Sequence, residues 1–175
     1  MMKKMAMVLV GTLIGTSLYA DNYGTDAKGF VGLEVGAGTV DAERLNEEFH
    51  SGDAVEYGVR FGAQSDEWRA TFAFDYFDSS SDDQNIEKGL LMVDYFVFQD
   101  ESDFRIRPFI GANVGVVNYE STGVDVTDFT YGGQAGMIVG VGDNLDLDLS
   151  YRYSLSGSER INDLGSVVFG FNYLY

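Results

Sequence analysis

The most constraining feature of the chain is its closing segment, in which apolar and aromatic side chains alternate with a second, more mixed set. One face consists of Val167, Phe169, Phe171, Tyr173 and Tyr175, and the other includes Gly170 and Asn172. A period of two indicates a β-strand. A soluble domain gains little from an exposed aromatic ladder at its end, since termini are usually mobile and polar. In hydrocarbon every backbone polar group needs a partner, so the pattern predicts a strand that closes a β-barrel in lipid.

Seven further segments alternate in the same way. They run near Lys28–Thr39, Ala54–Gln64, Trp68–Phe77, Glu87–Phe98, Phe104–Val117, Phe129–Val141 and Leu145–Leu155. Each has about 10 to 14 residues, which suits a tilted strand that crosses a bilayer. The fourth segment has the weakest alternation, because its otherwise polar face also carries Leu90, Met92, Phe96 and Phe98. The sequence predicts an all-β fold, an eight-stranded antiparallel up-and-down transmembrane β-barrel.

The connections alternate in length, which is a second indication of the same architecture. Tight turns are predicted at Asp66-Glu67, at about Asp100-Glu101 and at Gly142–Asn144. The longer connections are Val40–Asp53, Asp78–Ile86, Asn118–Asp128 and Ser156–Asp163, and Asp41–Phe49 within the first is compatible with a helical turn. Short turns at one end and longer loops at the other are typical of outer-membrane barrels.

The beginning of the chain predicts export. Lys3 and Lys4 precede an apolar run, and a short segment follows that ends at Ala20. This arrangement is typical of a secretory signal peptide, and the apolar run is too short for a membrane-spanning helix. We therefore expect a cleaved signal over residues 1–20 and a barrel domain over residues 21–175. The chain has no Cys, which excludes a disulfide framework and a lipidated N-terminal cysteine.

Residue types decide which face of the strands meets lipid, because alternation alone is unchanged when inside and outside are exchanged. The polar face is rich in glycine, with Gly32, Gly36, Gly38, Gly58, Gly62, Gly111, Gly115, Gly132, Gly136, Gly140 and Gly170. Glycine weakens a strand that faces solvent, whereas the narrow interior of an eight-stranded barrel needs small residues. The apolar face is therefore predicted to point outward, and the alternative is a soluble, lipocalin-like barrel.

The predicted lumen contains six acidic and six basic residues. These are Glu34, Glu56, Asp75, Asp94, Asp146 and Asp148, with Arg60, Arg69, Lys88, Arg105, Arg107 and Arg152. Charges in a narrow interior are costly unless they are paired, so we expect a luminal ion-pair network. A tight turn at Asp100-Glu101 would set Asp94 opposite Arg107. The network either closes the lumen as a structural element or acts as a gate, with Arg60, Arg152, Glu34 and Asp94 as gate residues.

Candidates for other chemistry are few. The one histidine, His50, lies beside Ser51 and near Glu47, Glu48 and Asp53, which would suit a hydrolase but more often describes a solvated loop. Acidic residues in the longer connections would suit Mg²⁺ or Ca²⁺ or simply keep the surface hydrated; they are Asp78, Asp82, Asp83, Glu87, Glu120, Asp125 and Asp128. We expect no catalytic residue, no bound metal and no cofactor. The net charge of −17 argues against nucleic acid as a partner.

The chain as a whole resembles the small eight-stranded outer-membrane barrels of the OmpA transmembrane-domain and opacity-protein type. The resemblance rests on the signal segment, on the stretch from Arg107 through Pro108 to Gly115, and on the aromatic C-terminus. It implies a location in the bacterial outer membrane and contact with outer-membrane lipids and lipopolysaccharide. It also implies delivery by periplasmic chaperones and recognition of the Val167–Tyr175 ladder by the barrel-assembly machinery. The predicted function is a structural or surface-interaction role, as a monomer that is not an enzyme; the alternatives are a narrow porin-like channel and an envelope-lipid-modifying enzyme.

Overall fold

The chain folds into a closed, all-antiparallel β-barrel, which confirms the predicted fold class. The computed structural model describes residues 27–44, 47–79, 84–98, 106–121, 124–157 and 161–175. Its eight strands are β1 (Lys28–Arg44), β2 (Glu47–Gln64), β3 (Trp68–Ser79), β4 (Gln84–Phe96), β5 (Ile106–Ser121), β6 (Val124–Gly140), β7 (Leu145–Ser156) and β8 (Ile161–Leu174). Each strand pairs with its sequence neighbours, and β8 pairs with β1. The predicted signal segment, residues 1–20, lies outside the described residues.

The barrel is apolar on the outside, as predicted from the glycine-rich opposite face. Leu33 and Tyr57 are 63% and 62% exposed, whereas the inward-facing Phe30 and Asn172 are each 1% exposed. The five ladder residues of the closing segment all point outward; they are Val167, Phe169, Phe171, Tyr173 and Tyr175. A soluble barrel would bury this face and expose the polar one, so the observed sidedness is that of a barrel surrounded by hydrocarbon. Among the described residues, no helix is long and apolar enough to cross a membrane.

The strands extend beyond the predicted boundaries at the end of the barrel away from Lys28 and Tyr175, which we call the far end. The predicted loop Val40–Asp53 is largely a continuation of the β1–β2 hairpin, in which Thr39 pairs with Asp53 and Ala42 with His50. The helical turn considered over Asp41–Phe49 is therefore wrong. The other three hairpins likewise continue into the predicted loops, to Ser79, Ser121 and Ser156. Ladder pairing satisfies backbone groups whether or not the strand is in lipid, so a strand need not stop where its apolar alternation stops.

The β4–β5 register also differs from the prediction. Asp94 lies opposite Gly111 and not opposite Arg107, a shift of four residues from the register that a tight turn at Asp100-Glu101 requires. The ladder continues to Val97, whose N–H donates to the Pro108 carbonyl at 2.9 Å. Inward and outward alternation limits a register only to steps of two residues, and both registers obey it. The observed register therefore does not fit the predicted turn at Asp100-Glu101, and those two residues lie outside the described part of the chain.

The closing seam is held on both sides of β8 at the end that carries Lys28 and Tyr175, the terminal end. The Tyr175 N–H donates to the Gly29 carbonyl of β1 at 2.9 Å. On the other side, the Leu174 N–H donates to the Asn144 carbonyl, and the Asn144 side-chain amide donates back to the Leu174 carbonyl, each at 2.8 Å. The last residues of the barrel are thus paired to β1 and to the β6–β7 turn.

Candidate functional site: the charged lumen

The candidate site is the set of ionisable side chains inside the barrel. Alternation positions them, because residues two or four apart on one strand share a face. On β7 this brings Asp146, Asp148 and Arg152 inward, and on β3 it brings Arg69 and Asp75 inward. The structure places eleven of the twelve predicted charged residues in the lumen; the twelfth, Arg105, lies outside the described residues.

The centre of the lumen is crossed by ion pairs between strands that are not neighbours. The Arg69 guanidinium of β3 contacts Asp94 of β4 at 2.8 Å and reaches across the barrel to Asp148 of β7 at 2.5 Å. Asp148 also forms an ion pair with Arg60 of β2 at 3.2 Å. Asp94 is fully buried and receives a further hydrogen bond from Gln134 of β6. These contacts join the two sides of the barrel wall.

The same network continues toward the far end through Glu34 of β1. Glu34 accepts from Arg60 at 3.2 Å and from Arg152 at 3.0 Å, and Arg152 also contacts Asp75 at 3.2 Å. Arg60 is further held by Asn172 of β8, whose Oδ1 accepts from Nε at 2.7 Å. We call the seven residues of this continuous network the ion-pair chain: Asp94, Arg69, Asp148, Arg60, Glu34, Arg152 and Asp75.

Two smaller groups lie beyond the ends of the ion-pair chain. Toward the far end, Lys88 of β4 pairs with Glu56 of β2. Toward the terminal end, Asp146 of β7 accepts from Arg107 at 2.9 Å and from Gln64 at 2.7 Å. The predicted Asp94–Arg107 pair is therefore wrong. The four-residue difference in register moves Arg107 away from Asp94. Asp94 forms its ion pair with Arg69 instead.

Part of the lumen is apolar, which the sequence analysis did not anticipate. Ala73, Leu90 and Met92 form one buried cluster, and Phe96, Phe109 and Ile138 form a second. The sequence of β4 already indicated these clusters, because this strand has apolar residues on both faces. That pattern was interpreted as poor alternation. A strand that packs an apolar lumen cluster on one side and lipid on the other needs apolar residues on both faces.

The apolar clusters also support the charged residues. The Arg69 guanidinium lies 4.5 Å from the centroid of the Phe109 ring, and that of Arg107 lies 4.6 Å from the Phe96 ring. An arginine over an aromatic face gains cation–π attraction, which is larger in a desolvated site. The two rings thus orient the arginines while they occupy space in the lumen.

The inward-facing glycines make the ion-pair chain sterically possible. A Cβ added to Gly170 of β8 would overlap the Arg60 guanidinium, and one added to Gly58 would overlap an Asp75 carboxylate oxygen. A Cβ at Gly36 would lie 2.7 Å from the Glu56 Cγ atom. The large charged side chains therefore occupy the volume that the glycines leave open.

The remaining sequence candidates fall outside this site. His50 lies in β2 opposite Ala42, and its side chain lies outside the described part of the chain. The same holds for the side chains of most of the acidic residues considered for divalent cations, including Asp82 and Asp125. Within the ranges that the structure describes, no group of three or more His, Cys, Asp or Glu side chains is arranged to hold a metal ion.

The outer wall has aromatic residues at both ends of the lipid-facing band. Trp68 and Tyr95 are in contact near the terminal end, with ring centroids 4.9 Å apart, and Phe129 and Tyr131 stack at 6.5 Å toward the far end. Aromatic belts of this kind mark the two membrane–water interfaces in outer-membrane barrels.

Comparisons with known proteins agree with this architecture. No protein-family model matches the chain, and no curated protein matches it. Among solved structures, Neisserial surface protein A superposes with a TM-score of 0.66 at 16% identity over 85% of this chain and 99% of the other. The outer membrane protein H of P. aeruginosa gives 0.62 at 20% identity over 85% and 99%, and the N-terminal β-barrel domain of Pseudomonas aeruginosa OprF gives 0.55 at 15% identity over 85% and 100%. The chain therefore has the fold of the small eight-stranded bacterial outer-membrane β-barrels.

Proposed function

We propose that the protein is an integral outer-membrane β-barrel with a closed lumen, and that it serves the envelope as a structural or surface-interaction element. The observation that carries the proposal is the ion-pair chain, which ties β1, β2, β3, β4 and β7 together across the lumen. The two apolar clusters beside it occupy a further part of the interior. A barrel built this way contributes a rigid wall and does not need to transport a solute.

The outer face supports residence in lipid. Its exposed side chains are aliphatic and aromatic, such as Leu33, Val59 and Phe171. We propose outer-membrane lipids and lipopolysaccharide as its direct surroundings. The barrel-assembly machinery and periplasmic chaperones are proposed as partners during biogenesis, with the outward Val167–Tyr175 ladder as the recognised segment.

We further propose that the protein is a monomer without enzymatic activity. The lumen holds its carboxylates against guanidinium groups, so the acids that would serve as general bases are already engaged, as Glu34 is with Arg60 and Arg152. The net charge of −17 supports the absence of a nucleic-acid partner.

The alternative function is a narrow channel for ions or small solutes. One observation favours it: Asp148 is shared by Arg60 and Arg69, so an arginine that leaves it would still leave the carboxylate paired. Glu34 is shared in the same way by Arg60 and Arg152. Because these carboxylates are shared, moving one arginine to open the lumen would cost less free energy. The residues that would have to move are Arg60, Arg152, Glu34 and Asp94.

Conductance in a planar lipid bilayer distinguishes these functions. The refolded protein is expected to give no stepwise current above the lipid alone in potassium chloride. Stepwise openings would support the channel, and Arg60→Ala or Arg152→Ala would then have to change the current if these residues form the gate. A refolded barrel that conducts with a wide, stable current would contradict the closed-lumen proposal.

A further inference from the structure

We propose that the lumen conducts protons along the ion-pair chain while excluding hydrated ions. This property goes beyond a structural role, and it does not require the channel alternative. It rests on three features of the described residues: a continuous alternation of acids and bases, buried polar atoms without a protein partner, and dense apolar packing beside them.

The ion-pair chain is continuous at hydrogen-bonding distance. Its four carboxylates follow the order Asp75, Glu34, Asp148 and Asp94, and each adjacent pair shares one guanidinium. Arg152, Arg60 and Arg69 are the three shared groups, with N–O distances between 2.5 and 3.2 Å. All seven side chains are nearly inaccessible to bulk solvent.

Several buried polar atoms along this path have no protein partner within the described residues. They include carboxylate oxygens of Asp75 and Asp148, the Nε of Arg152, the side-chain oxygens of Thr71 and Gln134, and an oxygen of Glu56. Buried polar groups without protein partners normally bind internal water. Because these atoms flank the carboxylates, we expect water molecules to connect one carboxylate to the next.

The charge balance of the chain suits a proton. Four carboxylates face three guanidiniums, and an unbalanced buried charge is costly. The guanidiniums stay protonated in proteins, so the carboxylates are the groups that exchange a proton with water. In each step a hydronium ion gives a proton to a carboxylate, which forms an O–H bond there and leaves water. That O–H bond breaks when the proton passes to the water on the other side, which becomes hydronium. The chain returns to its starting state with no net change in bonds.

Asp75 is the first carboxylate of the chain at its far end. Arg152 of β7 and Glu34 of β1 face it within the chain, while Lys88 lies opposite it on β4 and pairs with Glu56 of β2. The Lys88 side chain is 11% exposed, and at the other end of the lumen that of Arg107 is 16% exposed. Partly accessible groups therefore lie beyond both ends of the ion-pair chain.

The packing of the same interior opposes the passage of a hydrated ion. The clusters Ala73–Leu90–Met92 and Phe96–Phe109–Ile138 fill the side of the lumen beside β4 and β5. On the opposite side, the Arg60 guanidinium lies where even a Cβ at Gly170 would not fit. An ion would have to displace these groups, whereas a proton moves by exchange between groups that stay in place.

Proton flux in sealed vesicles tests the proposal. The refolded protein is reconstituted into phosphatidylcholine vesicles that contain a pH-sensitive dye and a potassium gradient, and valinomycin sets the driving potential. Acidification of the interior is expected to be faster than in protein-free vesicles, and slower in D₂O than in H₂O. Without valinomycin, potassium and chloride release is expected to equal that of protein-free vesicles. Proton flux equal to that of protein-free vesicles would overturn the proposal and leave the closed structural barrel intact. Release of potassium or chloride would overturn both.

Variants connect the flux to the carboxylates. Asp75→Asn is expected to lose the protein-dependent flux, and Asp75→Glu, which retains a carboxylate, is expected to keep it. Glu67→Gln, on an exposed turn outside the lumen, is the matched control and should conduct like the original protein. Should Asp75→Asn fail to refold, Asp94→Asn at the other end of the chain makes the same comparison. Unchanged flux in a folded Asn variant would show that the protons do not travel along this chain.

Discussion

The guanidinium of Arg60 lies against the backbone of Gly170, two strands away across β1. Nothing larger than hydrogen fits there, since an added Cβ would overlap the guanidinium carbon and both terminal nitrogens. Arg60 depends on this position for its contacts with Glu34, Asp148 and Asn172. Gly170 thus leaves the space in which the Arg60 guanidinium lies at the centre of the lumen.

Gly170→Ala is therefore expected to destabilise the barrel. The methyl group would push Arg60 away from its partners, and overpacking a dense interior typically costs about 1–3 kcal/mol. Urea unfolding in detergent micelles, followed by the mobility shift of the folded barrel on gels, measures the change. Gly133→Ala is the control, because Gly133 is exposed and its added Cβ would only reach the Gly111 carbonyl at 3.4 Å. Equal stability of the two variants would contradict the close fit.

Removing a shared arginine should cost more than removing one at the end of the lumen. Arg69→Ala would leave Asp94 without an ion-pair partner and Asp148 with Arg60 alone, and breaking a buried ion pair typically costs about 3–5 kcal/mol. Arg107→Ala removes a less buried base from Asp146, which keeps its hydrogen bond from Gln64. We expect a clearly smaller loss in the free energy of unfolding for Arg107→Ala in the same urea titration. The reverse order would mean that the central chain does not stabilise the barrel.

A charge on the outer wall tests whether that wall faces lipid. Leu33→Arg places a guanidinium in the middle of the β1 outer face and is expected to cost about 2–4 kcal/mol of folding stability in phospholipid vesicles. Val141→Arg, beside the turn at the terminal end, is expected to cost much less because its charge reaches water. Refolding into vesicles at increasing urea measures both. If Leu33→Arg folds as well as Val141→Arg, the outer face does not meet hydrocarbon.

The Asn144–Leu174 contact should hold the end of the closing strand. Asn144→Ala removes the side-chain hydrogen bond at 2.8 Å but keeps the backbone bond, so the expected loss is about 0.5–1.5 kcal/mol. Amide hydrogen exchange of β8 should rise near Leu174 and stay unchanged on β3. Asn118→Ala is the control, since it removes a side-chain oxygen that accepts an exposed hydrogen bond from the Thr127 hydroxyl, far from the seam. Faster exchange at Leu174 in both variants would argue against a local role for Asn144.

Most of the fold was predictable from the sequence, and the errors have specific causes. The end of β1 was placed too early and the start of β2 too late because these far segments lack apolar alternation, although their backbones still pair. The β4–β5 register was wrong because alternation allows steps of two residues, and a tight turn at Asp100-Glu101 was assumed to choose among them. The apolar clusters were missed because Leu90 and Met92 interrupted the polar face of β4 and were interpreted only as weak alternation. In each case the error concerned strand pairing or contacts between strands, which the sequence pattern of a single strand does not specify.

The sequence by itself determined which side chains point into the lumen and which point outward. A strand has only two faces, and the choice of glycine and charge on one and aliphatic and aromatic residues on the other decides which is inside. Only the tertiary structure decided which luminal side chains contact one another. Closure of the sheet brings Arg69 of β3 within 2.5 Å of Asp148 on β7, a pairing that depends on every intervening register and on the curvature of the wall. The ladder of Val167 to Tyr175 therefore indicates the surroundings of the barrel from the sequence alone. The partners of Arg60 and Arg69 are fixed only when the barrel closes, because alternation leaves each register free by steps of two residues.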